Sequence, residues 1–228
     1  FSSLINYLFV KKLFAFTFQE KIWNIQLSEH HLVAELRNET LRKVELICID
    51  LVNAALIWKQ SSPINTWWQS LGKLNDDLVE IIEFSEETKP QVTQKHYLNI
   101  QTGERSEYIP QVSDNFPSQP YRYLQPVHYT EQNEYFPAIH RFLYRLLNVD
   151  IQKGVDYLEY KDKIIISYYL YQENRLWNYL LVVNNRKEVL LNELLTESEG
   201  LGLGTFTVKP EILLYVKNKS QLHGYELN

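Results

Sequence analysis

Residues 44–60, VELICIDLVNAALIWKQ, have the pattern of a β-hairpin. An apolar strand is followed by a tight turn at Asn53 and Ala54, and a second short strand ends at Trp58. Asparagine favours turn geometry, and apolar runs bounded by turn residues are typical of strands. The segment therefore predicts a strand–turn–strand unit, and the fold depends on whether the chain repeats this unit.

Similar units recur along the chain. Their first strands begin near residues 32, 78, 164 and 212, and the interval between 78 and 164 is nearly twice the other two. Periodic strands joined by polar turns are typical of propellers and related arrays. A degenerate unit is therefore expected near residue 124, where YRYLQPVHY spans 121–129. The predicted strands are 31–37 and 44–51; 78–84, 96–101 and 104–109; 163–171, 176–183 and 188–194; and 211–217 and 222–227.

A helix interrupts this series. In YFPAIHRFLYRLLN the apolar residues Phe136, Ile139, Phe142 or Leu143, and Leu146 recur at helical spacing, with Pro137 near the start. Proline is tolerated in the first turn of a helix, and apolar residues three and four apart share one face. We therefore expect a helical insertion near 136–147, in place of or beside the central unit.

These patterns predict an all-β fold. We expect a propeller-like array of about five antiparallel sheets forming a single domain over residues 1–228. Residues 20–27, EKIWNIQL, carry Ile22-Trp23 much as the hairpin carries Ile57-Trp58. This N-terminal strand is expected to complete the last sheet and close the ring, because closure protects sheet edges. An open array of the same hairpins is the structural alternative.

Composition excludes several classes of function. The formal net charge is -5, with 23 Lys and Arg against 28 Asp and Glu and no long basic block, so nucleic-acid binding is not expected. Lys11 and Lys12 interrupt the apolar start of the chain, so we expect neither a targeting segment nor a membrane span, and a cytoplasmic location. The single cysteine, Cys48, is expected to be a buried, inert thiol.

Two resemblances follow from particular segments. The stretch from Asp50 to Trp58 and the sequence NIQTGE at 99–104 resemble the Asp-x-x-x-Gly and Trp pattern of quinoprotein-type propeller repeats. Four longer segments are KIWNIQLSEHHLVAELRNE, TWWQSLGKLNDDLVEI, KPQVTQKHYLNIQTGE and GTFTVKPEILLYVKNK. Together they resemble an uncharacterised bacterial family of the domain-of-unknown-function kind. That family implies no activity, and no residues match a quinone pocket with its calcium site.

Four residues are candidates for ligand binding. Glu35 and Arg37 lie two apart on a predicted strand and share one face, where they would line a central channel and grip a carboxylate or phosphate. The alternative is an ordinary neighbouring ion pair. Trp67 and Trp68 are adjacent and point in different directions in an extended chain, so one would stack on a sugar, base or peptide. The alternative is that both fill gaps between sheets.

Catalytic and metal-binding motifs are absent from the sequence. The six histidines show no HExxH spacing, Cys48 has no CxxC partner, and no serine lies in a GxSxG elbow. Gly200, Gly202 and Gly204 precede a strand-like segment rather than a helix, which favours a flexible connection over a phosphate loop. No catalytic residue, metal or cofactor is therefore predicted.

The sequence leaves two functions open. The first is a non-catalytic, propeller-like module that binds a protein or a small ligand. The alternative is a hydrolase or lyase acting on a sugar or related small molecule, with two carboxylates converging in the central channel at the separation that glycosidases use.

Overall fold

The computed structural model describes residues 10–107, 123–172, 175–198 and 205–227. These residues form sixteen strands and one helix. The elements are β1 (Lys11–Thr17), β2 (Lys21–Leu27), β3 (His31–Asn38), β4 (Lys43–Asp50), β5 (Ala55–Ser61), β6 (Gln69–Leu74), β7 (Leu78–Phe84), β8 (Val92–Asn99), β9 (Val127–Thr130), α1 (Phe136–Leu147), β10 (Gly154–Tyr160), β11 (Lys163–Gln172), β12 (Arg175–Asn184), β13 (Val189–Ser198), β14 (Phe206–Lys209), β15 (Ile212–Lys217) and β16 (Gln221–Glu226).

The chain divides into two compact units. The described residues of the N-terminal unit are 17–107, and those of the C-terminal unit are 10–16 with the described residues from 123 onward. Each unit holds two sheets, in the strand orders β2-β3-β4-β5 and β6-β7-β8 in the first and β13-β12-β11-β10-β9 and β1-β16-β15-β14 in the second. Neighbouring strands in these sheets pair in the antiparallel direction.

The hairpin at 44–60 is confirmed as β4 and β5. The carboxylate of Asp50 accepts hydrogen bonds from the backbone N–H groups of Val52 (2.8 Å) and Asn53 (3.0 Å), and Ala54 closes the turn at φ 54°. This side-chain bonding replaces the glycine that such a turn usually requires. Between β4 and β5, the register shifts after Cys48, which lies opposite Trp58.

The core of the N-terminal unit lies between its two sheets. Alternate residues of the first sheet, including Val33, Leu46 and Cys48, pack against Leu71 and Ile81 of the second. This alternation follows from the two-residue period of a strand. Cys48 is fully buried, and burial raises the pKa of its thiol to about 12, as expected for an inert thiol.

The C-terminal unit packs both faces of its five-stranded sheet. Alternate residues of β11 face opposite ways: Ile166 contacts the core shared with α1, and Ile165 contacts the core shared with Phe206 and Leu213 of the four-stranded sheet. The predicted helical insertion is confirmed at 136–147. Asn148 ends the helix in the left-handed conformation (φ 56°), which asparagine tolerates well.

The predicted sheet count and ring closure need correction. The described residues form four sheets rather than about five, because the segment expected to start a separate unit at 121–129 supplies β9 to the edge of the five-stranded sheet. No sheet closes into a barrel among the described residues, so the propeller and its ring remain predictions. The single domain over 1–228 also remains a prediction.

The strand expected to join the last sheet was assigned wrongly. Residues 21–27 form β2, which pairs with β3, whereas β1 pairs with β16. The local reason is a close fit at Gly224 on β16, where a Cβ would stand 2.5 Å from the ring of Phe14 on β1. Only glycine leaves room for this ring, so the Phe14 segment is the one that docks.

Several predicted boundaries were shifted. The units predicted to start near 32, 78 and 212 begin one strand earlier, at β2, β6 and β14, and the unit predicted near 164 begins two strands earlier, at β9. Within 104–109, the described residues make only an isolated bridge between Leu98 and Arg105. Residues 108–109, 121–122 and the glycines at 200, 202 and 204 lie outside the described residues.

Candidate functional site

Glu35 and Arg37 form a buried ion pair on β3. They lie on the same face of the strand, as their spacing predicts, and Arg37 Nε donates to Glu35 Oε1 at 2.5 Å. Glu35 is 1% exposed and Arg37 7%. Because the pair is almost completely buried, it differs from exposed surface ion pairs, which contribute little to stability.

Both members of the pair also bond to the neighbouring sheet. Glu35 Oε2 accepts hydrogen bonds from the backbone N–H of Leu71 (3.0 Å) and the hydroxyl of Ser70 (3.3 Å). Arg37 donates to the backbone carbonyls of Trp67 (3.2 Å) and Gln69. The pair therefore joins β3 to β6 and to the residues just before it.

The Arg37 guanidinium lies over the faces of two indole rings. Its central carbon is 4.9 Å from the ring centre of Trp23 and 4.6 Å from that of Trp67. A guanidinium over an indole face is attracted by the ring quadrupole, and the attraction grows as water is excluded. We call Trp23, Arg37 and Trp67 the Trp-Arg-Trp stack.

Trp23 is the exposed member of this stack. It lies at a β-bulge, because Ile22 pairs with Leu36 whereas Asn24 pairs with Glu35, leaving Trp23 as the extra residue of β2. A bulge turns a side chain away from the regular alternation. The side chain remains 55% exposed although Arg37 packs against one of its faces.

Trp67 and Trp68 have different surroundings. Trp67 is partly buried and packs against the inter-sheet core as well as Arg37. Trp68 is also partly buried, and its indole N–H has no hydrogen-bond partner among the described residues. The turn before them is held by the Gln69 side chain, whose amide donates to the carbonyl of Ile64 (3.0 Å) and whose oxygen accepts from the Ser62 hydroxyl (2.5 Å).

The structure thus brings three of the four predicted residues together. Glu35, Arg37 and Trp67 form one cluster between β3 and β6, and no side-chain hydrogen bond or ring contact joins Trp68 to it among the described residues. The sequence analysis missed Trp23, which it used only as a repeat marker. The available signal was a large aromatic residue in a strand that also contains the polar residues Lys21, Asn24 and Gln26.

One group of possible metal ligands occurs among the described residues. Ligand atoms of Glu29, His30 and Asp76 lie within 4.8 Å of one another. Asp76 Oδ1 already accepts hydrogen bonds from the Ser28 hydroxyl (2.6 Å) and the His30 backbone N–H (3.1 Å). Burial alone would raise the pKa of Asp76, but these hydrogen bonds hold it below its usual range. The bonds give the carboxylate a role in fixing the turn before β3.

A second polar network links the two sheets of the C-terminal unit. Glu193 on β13 accepts hydrogen bonds from Lys217 Nζ (2.5 Å) and from the hydroxyl of Tyr215 on β15. The His223 ring stacks on Tyr215 with 5.0 Å between ring centres. Burial lowers the pKa of His223, so the neutral imidazole is favoured in the folded protein.

These features define a nearly all-β protein with antiparallel sheets, whose most distinctive site is a buried ion pair beside an exposed tryptophan. The model of a family described as a domain of unknown function (DUF4905) matches residues 25–106. The match contains Glu35, Arg37, Trp67 and Trp68, and it begins two residues after Trp23. This agrees with the expected resemblance to an uncharacterised family. No curated protein matches the chain, and the function is unknown. No helix among the described residues is long and apolar enough to cross a membrane.

Proposed function

We propose that the protein is a non-catalytic binding module that contacts its ligand through the Trp-Arg-Trp stack. The observation that carries this proposal is the exposed Trp23 ring held against the buried Arg37 guanidinium. An exposed tryptophan loses little conformational freedom on binding when its ring is already fixed, so more of the contact energy contributes to affinity. The stack is therefore a preorganised surface rather than a hydrophobic residue left in solvent by chance.

The ligand we propose has a flat apolar face, such as that of a sugar ring. Aromatic side chains offer a large apolar surface with a preferred stacking geometry. Trp23 presents such a surface, and Arg37 and Trp67 support it from behind. A protein side chain of similar shape is the other ligand that this surface accommodates.

The surroundings of Glu35 favour binding over hydrolysis. A carboxylate that acts as an acid or nucleophile must reach the substrate and exchange a proton or form a bond with it. Glu35 is buried, and its two oxygens accept three hydrogen bonds from Arg37, Ser70 and Leu71. The hydrolase or lyase alternative would therefore need other carboxylates.

We further propose that the sheets are blades of a propeller-like ring forming a single domain, with quinoprotein-type repeats, in a bacterial cytoplasmic protein. Support comes from the strand order, because each sheet is built from consecutive strands. The exception is β1, which joins the sheet made by the last three strands. A terminal strand supplied from the other end of the chain is a device that propellers use to protect their edges.

The binding proposal is tested by titrating the protein with soluble oligosaccharides of glucose, galactose and N-acetylglucosamine, monitored by calorimetry. We expect one series to bind and Trp23→Ala to weaken that binding at least about tenfold, whereas Trp23→Phe keeps most of it. Tyr171→Ala, which removes an aromatic side chain that is 50% exposed in the other unit, is the control. Equal binding by the wild type and Trp23→Ala would refute the proposed surface. Sugar release from nitrophenyl glycosides would favour the hydrolase.

A further inference from the structure

The C-terminal unit carries a basic groove of its own. It is an open pocket along α1 with a volume of about 260 Å³. Three apolar residues (Ala138, Phe142 and Leu146) and three cationic residues (Arg141, Arg145 and Lys187) line it. We call this surface the basic groove. No acidic residue lines it, although the chain as a whole has a formal net charge of -5.

The three cations form no ion pair with a carboxylate in the part of the chain that the structure describes. The acidic residues close to them in sequence are engaged elsewhere. Asp150 bonds to the His140 ring at 2.7 Å, and Glu188 accepts a hydrogen bond from the Asn184 side chain at 2.6 Å. Neither carboxylate is bonded to a cation of the groove.

This arrangement has a cost that the fold does not require. Arg141 and Arg145 are four residues apart on α1, and like charges at this spacing destabilise a helix by about 0.2 to 0.5 kcal/mol. The helix dipole favours a cation in the last turn, which accounts for Arg145 but not for Arg141. An anion held between the two guanidinium groups would remove the repulsion.

The groove is built on fixed elements. Another face of α1, formed by Phe136, Ile139 and Leu143, packs into the core of the unit, and Phe142 and Leu146 pack against the same core. Lys187 lies in the turn after β12 with a left-handed backbone (φ 63°). The Asn184 side chain holds this turn by accepting hydrogen bonds from the N–H groups of Arg186 (3.0 Å) and Glu188 (2.9 Å). Helix and turn thus present their cations from two defined directions.

We propose that the basic groove binds a small organic anion, with a carboxylate or phosphate group held by Arg141, Arg145 and Lys187 and a compact apolar body against Phe142 and Leu146. Guanidinium groups bind carboxylates and phosphates through paired N–H donors, which gives geometric specificity as well as affinity. The volume is close to the lower end of the range for small-molecule pockets, so the ligand is smaller than a nucleotide.

Phenyl phosphate is the probe for this site, because it combines a dianion with one aromatic ring. Isothermal titration of the full chain at low ionic strength compares it with inorganic phosphate and with neutral benzyl alcohol. We expect phenyl phosphate to bind most tightly and its affinity to fall as salt is added. Arg141→Gln and Arg145→Gln are each expected to weaken binding at least about tenfold. Arg186→Gln, which removes a cation from the same turn as Lys187 but outside the groove, is expected to leave it unchanged.

Each other outcome overturns the proposal. If inorganic phosphate binds as well as phenyl phosphate, the apolar residues play no part. If Arg186→Gln weakens binding as much as Arg141→Gln, the interaction is unspecific attraction to surface charge. If an acidic peptide binds through Arg141 and phenyl phosphate does not, the occupant is a protein partner. Thermal unfolding of each variant verifies that it is folded. Trp23→Ala leaves this groove intact, so the result is independent of the oligosaccharide experiment.

Discussion

Arg37 in the N-terminal unit and Arg141 in the C-terminal unit carry the same guanidinium in opposite surroundings. Arg37 is buried, ion-paired with Glu35 and in contact with two indole rings. Arg141 is exposed beside Arg145 and forms no ion pair among the described residues. The guanidinium of Arg37 is paired within the fold and holds two sheets together. The guanidinium of Arg141 has no carboxylate partner among the described residues, so it is available to a ligand. The contrast predicts that replacing Arg37 chiefly lowers stability and replacing Arg141 chiefly lowers affinity.

The largest expected effect is that of Arg37→Met. Removing the guanidinium leaves the Glu35 carboxylate buried without its cation, and losing one partner of a buried pair costs about 3 to 5 kcal/mol. Urea-induced unfolding at neutral pH measures the change in the free energy of unfolding.

The double variant Glu35→Leu with Arg37→Met separates pairing from packing. It is expected to regain much of the lost stability, because no unpaired charge is left in the interior. Arg141→Gln is the matched control and is expected to change the free energy of unfolding by less than about 0.5 kcal/mol. Loss of under about 1 kcal/mol in Arg37→Met would show that water reaches the pair and that the comparison fails.

The next effect concerns Glu80, a second buried carboxylate of the N-terminal unit. Its side chain bonds to Lys95 Nζ (2.8 Å) and to the backbone N–H of Lys73 (3.2 Å), and a Cβ added at Gly72 would lie 2.3 Å from Glu80 Oε2. Gly72→Ala must displace this fixed carboxylate, so we expect a loss of about 1 to 3 kcal/mol in unfolding experiments. In a Glu80→Ala background the same change is expected to cost less than about 0.5 kcal/mol. If Gly72→Ala lowers the free energy of unfolding equally in the wild type and in Glu80→Ala, glycine is required at this position for its backbone conformation and not for the space it leaves to Glu80.

A smaller effect is the pH dependence of stability, which is expected to differ between the Glu35–Arg37 link and the polar network around Glu193. The Arg37 guanidinium stays charged, whereas the C-terminal link contains His223, whose pKa is lowered by burial, with Lys12 and Lys217 adding to the effect and Glu193 opposing it. Because the unfolded chain binds a proton to this histidine more readily, its contribution to stability is complete above the unfolded pKa of about 6.5 and is lost as the pH falls toward the folded value.

Thermal unfolding at about pH 7.5 and about pH 5.5 tests this expectation. The wild type is expected to lose a few degrees of Tm, about 2 to 4 °C for each kcal/mol in a chain of this size, and His223→Gln to lose less. Tyr225→Phe, which keeps the ring beside His223, is the control and is expected to behave like the wild type. An unchanged pH dependence in His223→Gln would place the titrating group elsewhere.

Periodicity predicted the elements whose pattern is continuous. Strand β7 (Leu78–Phe84) and helix α1 (Phe136–Leu147) have the bounds expected from two-residue and helical spacing. Strands β1, β6 and β10 were not predicted, whereas β14 lies in a segment that the sequence analysis described only as strand-like. In β6, QSLGKL, polar residues and Gly72 interrupt the pattern, and Gln69 is buried by hydrogen bonds rather than by apolar contacts. The sheet predicted for residues 20–27 was wrong for another reason. The strand that joins the last sheet is selected by the fit between Phe14 and Gly224, and these residues are far apart in sequence.

In the candidate site, too, the contacts set by local spacing could be predicted and those set by packing could not. Strand period places Glu35 and Arg37 on one face, and their pairing follows from that. The position of Trp23 depends on a bulge, and the contact with Trp67 depends on how two sheets pack. Neither is encoded in local spacing. In the basic groove, helical spacing likewise places Arg141 and Arg145 together, whereas Lys187 arrives from a distant turn.

The smallest predicted effect is a gain in stability. The double variant Arg141→Gln with Arg145→Gln removes the like-charge pair on α1 and is expected to raise the free energy of unfolding by about 0.2 to 0.5 kcal/mol at low ionic strength. The gain should disappear in high salt, which screens exposed charges. Arg145→Gln alone is expected to gain less, because it also loses a favourable interaction with the helix dipole.

This prediction separates the two roles of charge most sharply when stability and binding are measured on the same samples. A variant that is slightly more stable yet no longer binds phenyl phosphate would show that the arginines are kept at the expense of the fold, as is common where a site needs unsatisfied charge. Arg37→Met should do the reverse, losing stability while any folded fraction still binds phenyl phosphate. If Arg141→Gln with Arg145→Gln instead destabilises the protein by more than about 1 kcal/mol, the two guanidinium groups have structural partners. The contrast with Arg37 would then be one of exposure alone.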